Sequence, residues 1–492
     1  VSVNKIYRST PSGQKVSSKK VGSRRQKSRR GRNIVIGIGL TLVSFMSAAG
    51  GALLALTFSE SAVLKQAELS PEQEQVFNQE DTVEQKNLVL PELSRPVNIL
   101  VLGIKVLTSD LPEDTAPQDV GYHALVNSFE GLSDTMLLVR FDPNGQKLSV
   151  LSIPRDTKVY LEDHGYRKIN HANDYGGPAL TASTVSDLLG GVEVDRYVRV
   201  NVQGVEKLID ALGGVDLFVP KDMKYNDFSQ HLYINLKKGQ QHLDGEKAVQ
   251  FLRYRYDDLG DISRVQRQQL FMRALVEQAL KPGTIVKIPK ILDVIKAHLD
   301  TNLTVKELMA LSNFASQTER SNVQMMMLPG DFNDPSEGVS YWVPNDQQIE
   351  KVMAEHFALI TADSLEYSDR EYADDSNVHD YSNTRIAIQN SLEDPTSAQQ
   401  MLATLQEAGY HHAYISKDWA EPLKLTKIVA QNGDTLSAEA LKATLGVGEV
   451  LVESTGSITS DVSIQVGQDW QDYLTTDELE INDFEPETEL EP

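Results

Sequence analysis

Hydrophobic positions follow three regimes along the chain. Residues 34–58 read IVIGIGLTLVSFMSAAGGALLALTF, 25 positions without a charge, long enough to cross a hydrocarbon layer of about 30 Å with some tilt. From residue 96 onward, short runs rich in Val, Ile and Leu alternate with segments of helical period. The runs 98–104 (NILVLGI), 135–141 (TMLLVRF) and 147–153 (KLSVLSI) predict strands. Residues 178–191 (PALTASTVSDLLGG) predict a helix opened by Pro178 and closed by glycine. Strand 197–202, helix 203–214 and strand 215–220 repeat the alternation, with Gly213 and Gly214 ending the helix. Asp244 is placed to cap a helix through Phe251 and Leu252, a further helix covers 264–280, and 286–360 read as mainly helical. Beyond a polar stretch, strand 385–390 (RIAIQN), amphipathic helix 397–410 and strand 461–467 (DVSIQVG) predict a second, smaller unit.

This pattern gives the α/β class: a central mixed sheet flanked by helices, then a small α/β C-terminal domain, the whole preceded by one transmembrane helix. The expected organisation is a basic tail at 1–33, the span at 34–58, a linker at 59–95, and a main body at 96–360 with its core at 96–280. A second linker at 361–383, the small domain at 384–470 and an acidic, disordered tail at 471–492 complete it.

Charge adds direction. Residues 1–33 carry eleven Lys and Arg and no acid, so the remainder of a chain with net charge −23 carries −34. Positive-inside bias then keeps the arm in the cytoplasm and places 59–492 outside it, anchored in the plasma membrane against anionic lipid. A cleavable signal peptide is the competing reading, disfavoured by the length of both the basic and the apolar stretch. The arm lies beside the span and has no helix-turn-helix or interleaved aromatics, so nucleic acid is not an expected partner. Absence of cysteine excludes disulfides, thiolate metal sites and a Cys nucleophile.

The residues of most chemical interest are arginines gathered in two places. Arg155 and Asp156 follow an apolar strand in Ser152-Ile-Pro-Arg-Asp, at the end of a strand where α/β sheets build sites. Arg253, Arg255, Arg264, Arg267 and Gln268 fall in one run that also holds Asp257, Asp258 and Asp261, with Arg264, Arg267 and Gln268 spaced to share a helix face. Such a cluster suits a multivalent anion like pyrophosphate; an ion-pair network with the three acids, or a solvated face, is the alternative. No Walker A loop, GxGxxG after a strand, HExxH or GxSxG occurs. His171 stands alone, and the pair His411 and His412 lacks metal-ligand spacing.

Asn98-ILVLGI, Ser133-Asp134-Thr135, Ser152 to Thr157, Lys168-Ile-Asn170, Tyr175-Gly-Gly-Pro178, Asp210-Ala-Leu-Gly-Gly-Val-Asp216, Leu243 to Ala248 and the 253–269 run occur in an order and spacing that resembles the LytR-CpsA-Psr family over about residues 96–280. Residues 385–470 more weakly resemble the C-terminal domain often fused to it. The resemblance implies a phosphotransferase that moves a glycopolymer from a polyprenyl pyrophosphate carrier to a peptidoglycan hydroxyl. It implies that Arg155, Arg253, Arg255, Arg264 and Gln268 grip the pyrophosphate, that Asp134 holds Mg2+, that Lys168 and Arg267 lie near the site, and that Asp261 serves as general base. Two positions depart from the family pattern: Lys105 where Asp is usual and Leu132 where Arg is usual. The first replaces a carboxylate by an ammonium beside the metal, so Lys105 is expected to act as a fixed cation and to weaken Mg2+ binding, unless Asp110 replaces the missing ligand. These departures keep open a non-catalytic wall-binding scaffold; older family names keep open a transcriptional attenuator.

Overall fold

The computed structural model describes residues 64–84, 91–104, 129–227, 232–254, 261–334, 338–359, 383–431, 433–457 and 459–482. The expected span at 34–58 and its basic arm lie outside them, and among the described residues no helix is long and apolar enough to cross a membrane.

The chain first forms a short helix, α1 (Pro71–Glu74), capped by Ser70, and a ribbon of β1 (Val83–Glu84) with β2 (Glu92–Leu93). Part of the expected linker therefore belongs to the folded body. Leu64 and Phe77 are buried, Phe77 lies with its ring centroid 5.2 Å from that of Tyr197, and Thr82 donates to Glu307. Two or three anchors in a polar stretch leave no period to read.

β3 (Val97–Ile104), β4 (Ser133–Asp142) and β5 (Lys147–Ile153) pair antiparallel in succession. A hairpin, β6 (Lys158–Leu161) with β7 (Gly165–Lys168), leads to α2 (His171–Leu188). This helix starts earlier than Pro178 and breaks at Gly176 and Gly177; Gly177 has φ 62° and ψ −153°, a conformation open essentially to glycine alone, so Pro178 opens a second helical segment. β8 (Arg196–Asn201) returns parallel to β3. α3 (Val202–Leu212) follows with Asn201 as N-cap and Gly213 in the left-handed region, as its sequence signals require.

A second core gathers around β9 (Val215–Val219), β10 (Met223–Asp227), β11 (Leu232–Leu236), β12 (Gly239–Leu243), α4 (Gly245–Arg253) and α5 (Asp261–Ala279). Asp244 caps α4 by accepting from the Lys247 amide. The region expected to be mainly helical is instead mixed. α6 (Ile288–His298), α7 (Val305–Gln317) and α8 (Asp346–Phe357) are interrupted by β13 (Leu299–Thr301), β14 (Val323–Met327), β15 (Gly330–Phe332) and β16 (Trp342–Pro344).

Among the described residues, six strands make the main sheet in the order β13-β8-β3-β4-β5-β14, with β14 parallel to β5. Period-2 alternation divides β3: Leu100, Leu102 and Ile104 join one buried layer with α2 and α8, while Val97 and Ile99 join the other with α7. The smaller sheet runs β18 (Ala413–Ile415), β17 (Ile386–Asn390), β21 (Val462–Val466), β19 (Lys427–Ala430), β20 (Glu449–Val452). It carries α9 (Thr396–Glu407) and α10 (Thr435–Leu445). A last helix, α11 (Gln468–Asn482), occupies the start of the expected disordered tail, and Trp470 within it is buried.

Candidate active site

Two short connections bring opposite charges together at one end of β4 and β5. The Pro154–Thr157 turn after β5 is fixed by Thr157, whose hydroxyl and amide both donate to the Pro154 carbonyl at 2.6 and 3.0 Å. Asn170, ahead of α2, binds both sides of this end: its amide donates to the Arg155 carbonyl, and its carbonyl accepts from the Ser133 amide, each at 3.2 Å. The backbone thus aims Asp134 and Arg155 at each other.

The result is an alternating ladder. Arg155 Nη1 donates to Asp134 Oδ1 at 2.8 Å, its Nε lies 3.5 Å from Asp156, and Lys168 Nζ lies 2.8 Å from the other oxygen of Asp156. All four side chains keep between 18% and 27% of their surface in solvent, which leaves the ladder reachable by a ligand. His171 opens α2 beside it, and its pKa is pushed below the ordinary range, first by burial and then by the charges of Arg167 and Lys168 against the opposing pull of Asp174. Asn170 Oδ1 is buried and has no partner within the protein, a state that costs about 1–3 kcal/mol.

The second arginine group is placed differently. Arg253 is the last residue of α4, half-buried, and Gln268 is half-buried on α5. Arg267 turns inward: only 4% of it is exposed, its guanidinium sits 5.7 Å from the centroid of the Tyr254 ring, and Nη2 donates to the Tyr254 carbonyl. It therefore ties α5 to the end of α4 and is not presented on a common exposed face. Lys105 and Arg255 lie outside the described residues, as do the side chains of Asp261 and Arg264.

Arg199 is a site residue that the sequence reading passed over. It pairs with Asp300, and its Nη1 donates to the Phe129 carbonyl at 3.2 Å and to Asn173 Oδ1 at 3.4 Å. Asn173 in turn donates to the carbonyls of Phe129 and Gly131. Together they hold the backbone that leads into Asp134. The signal was available in the alternation of β8, which puts Arg199 on the same face as buried Tyr197 and Asn201.

The LytR_cpsA_psr family model matches residues 56–358, more than half of the chain. The chain belongs to the LytR_cpsA_psr family. Residues 383–470 match the family described as LytR cell envelope-related transcriptional attenuator. One relative, the polyisoprenyl-teichoic acid–peptidoglycan teichoic acid transferase TagU of Oceanobacillus iheyensis, is 34% identical over 267 residues, which are 53% of this chain and 74% of the relative. The transferase of the same description named TagV, from Bacillus subtilis, is 32% identical over 273 residues, 54% of this chain and 65% of the relative. The crystal structure of the latter organism's TagV has a TM-score of 0.44 and 28% identity, covering 54% of this chain and 99% of that one.

Proposed function

We infer that this family member is a phosphotransferase that moves a teichoic-acid-like glycopolymer from a polyisoprenyl pyrophosphate carrier to a peptidoglycan hydroxyl. The observation that carries the site assignment is the Arg155–Asp134 contact at 2.8 Å, built into the Ser152–Thr157 motif and open to solvent. The relatives named for this transfer support the same reading.

In the reaction the acceptor hydroxyl oxygen attacks the phosphorus that bears the glycopolymer. A new P–O bond forms, the P–O bond toward the carrier phosphate breaks, and polyisoprenyl phosphate leaves with the electron pair. The hydroxyl proton passes to a base, the role that the family resemblance gives to Asp261. The protein's work is mainly electrostatic, because charge builds on the diphosphate oxygens as the leaving group departs. Arg155 and Lys168 supply fixed cations from the ladder, with Arg253 and the family positions Arg255, Arg264 and Gln268 as further donors. Lys105 adds a cation in place of the usual carboxylate.

Mg2+, where bound, neutralises diphosphate charge. Among the described residues no group of three metal-ligating side chains assembles, and Asp134 shares an oxygen with Arg155. Asp134 would be the carboxylate that holds such a cation, which would bring positive charge to the diphosphate. The apolar run 34–58 would tether the body near the carrier lipid, outside the cytoplasm. The deciding experiment measures transfer from a polyisoprenyl-pyrophosphate-linked polymer to peptidoglycan by wild type and by Arg155→Ala. Loss of transfer with an unchanged melting temperature is expected; full transfer by the variant would end this assignment.

A further inference from the structure

The hairpin that leads away from the ladder carries aromatic rings into water. Alternation along β6 buries Val159 and Leu161 in the core beneath and turns Lys158 and Tyr160 to the other side. Register pairs Lys158 with Lys168 and Tyr160 with Tyr166, and residues directly opposite share a face. One face of the ribbon thus presents two lysines and then, one two-residue step farther from the ladder, two tyrosines. That step is about 6.5 Å, comparable to the length of one pyranose unit. Tyr160 and Tyr166 keep 64% and 63% of their surface in solvent. Two large rings exposed side by side form a patch that water disfavours, the kind of surface that marks a binding site.

The row of side chains is continuous with the ladder and is held at both ends. Lys168 Nζ, 2.8 Å from Asp156, also lies 5.9 Å from the centroid of the Tyr341 ring. Lys158 Nζ lies 5.6 Å from that ring and 5.6 Å from the Tyr166 ring. Tyr166 meets Tyr160 edge to face, with centroids 5.5 Å apart and planes at 77°. The Tyr341 end is fixed because the next amide, that of Trp342, donates to the Asp156 carbonyl at 3.0 Å. At the far end His164 stacks on Tyr175 of α2 with centroids 4.0 Å apart, which ties the tip of the hairpin to the helix. The two exposed rings are therefore oriented by each other and by Lys158 without being buried.

Three features choose the occupant. A tyrosine offers an apolar face rimmed by a hydroxyl, which matches a pyranose, with C–H groups on its faces and hydroxyls around its edge. Charge reverses along the row: lysines stand at the ladder end, whereas Glu162 and Asp163 are exposed at the tip. A phosphodiester polymer or an anionic membrane laid along the hairpin would meet like charge there. Among residues 158–168 the exposed large hydrophobic side chains are the two tyrosines alone, so the hairpin lacks the Leu, Phe or Trp that seats a surface in lipid. We propose that the Tyr160–Tyr166 face binds pyranose rings of the glycan strand that accepts the polymer, and so selects which hydroxyl of that strand reaches the ladder. Naming the strand as acceptor rests on the transferase reading; the glycan site itself does not.

The test uses the full chain in detergent with chitotetraose, poly(glycerol phosphate) and inorganic pyrophosphate as separate calorimetric probes. Wild type should bind chitotetraose. Tyr160→Ala and Tyr166→Ala should each weaken that binding about two- to tenfold, the worth of one aromatic contact, and the double variant should weaken it further. Tyr160→Phe combined with Tyr166→Phe preserves the ring faces and should preserve most of the affinity. Because both side chains are exposed, every variant should keep the wild-type melting temperature and pyrophosphate affinity. Absence of chitotetraose binding, binding unchanged in the double alanine variant, or displacement of chitotetraose by poly(glycerol phosphate) would overturn the proposal. With the chain in phosphatidylglycerol vesicles, chitotetraose should protect Tyr160 and Tyr166 from nitration; protection by the vesicles without sugar would make this face a lipid contact instead. Failure of the transferase reading shows separately: transfer that survives Arg155→Ala would end the acceptor role, while loss of chitotetraose binding in the double alanine variant would still uphold the glycan site.

Discussion

Two clusters of arginine and carboxylate have the same ingredients and opposite settings. In the ladder, Asp134, Arg155, Asp156 and Lys168 all remain partly in water. In the second cluster, at the junction of the main body with the small domain, Glu453 is only 1% exposed and pairs with Arg320, with Arg273 3.7 Å away. Glu277 completes this knot, lying 3.1 Å from Arg273 and 3.4 Å from Arg320. Burial of one carboxylate, Glu453, sets the two clusters apart, since Arg320 and Glu277 keep 33% and 39% of their surface in solvent. The partly exposed ladder can exchange one partner for a ligand at small cost, whereas Glu453 is a buried charge that its arginines must hold. The knot thus fastens two folded units, and the ladder is left for chemistry.

The sharpest way to break this contrast is Glu453→Ala. It leaves Arg273 and Arg320 with Glu277 as their one shared carboxylate in this knot, and the expected loss is about 1.5–3 kcal/mol of unfolding free energy by denaturant titration. A loss below about 1 kcal/mol would place the knot in the same class as the ladder. Arg155→Ala should show the converse: stability changed by no more than about 1 kcal/mol, and pyrophosphate binding weakened by about 1.5–3 kcal/mol, both read on the same preparation.

Acid should act on the junction through His356. His356 of α8 lies 2.9 Å from Gln324 Oε1 on β14 and 3.3 Å from the Gly433 carbonyl of the small domain, with Glu355 nearby at 3.5 Å. Burial pushes its pKa down, aided by Lys147 and opposed by the Gly433 contact. The unfolded chain therefore binds the proton more readily, so this contribution to stability is complete above about pH 6.5 and is lost as pH falls toward the lower folded value. The slope should approach about 1.4 kcal/mol per pH unit at most and should flatten in His356→Gln; a slope identical in wild type and variant would remove His356 from the account. The smallest effect is expected for Lys168→Ala, about 0.2–1 kcal/mol in stability, with a decrease in pyrophosphate affinity that shrinks as salt is added.

The elements that could be read from sequence are those whose signals are local. Asn201 and Gly213 bracket α3, Asp244 caps α4, and alternation in β3 separates its two buried faces. β14 escaped because Val-Gln-Met-Met-Met has no strand period and methionine favours helices; only the vacant edge of β5 makes it a strand. The Gly176–Gly177 break marked the second segment of α2 but concealed the first. At the site, motif order located Asp134 and Arg155, yet the Asp156–Lys168 pair depends on a hairpin, and Arg199 depends on the carbonyls of residues far along the chain. The knot was out of reach for the same reason: Arg320 and Glu453 are 133 positions apart. Inward rotation of Arg267 also has no local signature, since spacing fixes a helix face but not which neighbour covers it.

The placement of β14 has a consequence for biosynthesis. β5 ends at Ile153, but the strand that covers its edge spans Val323–Met327. A growing chain therefore carries an unpaired, apolar strand edge through the synthesis of about 170 further residues, which is the kind of surface that recruits another chain if left exposed. The sheet can close only late, through a parallel pairing of large sequence separation, and such pairings are slow to form. A chain interrupted before residue 323 would contain every residue of the ladder and still lack the strand that completes the sheet beneath it.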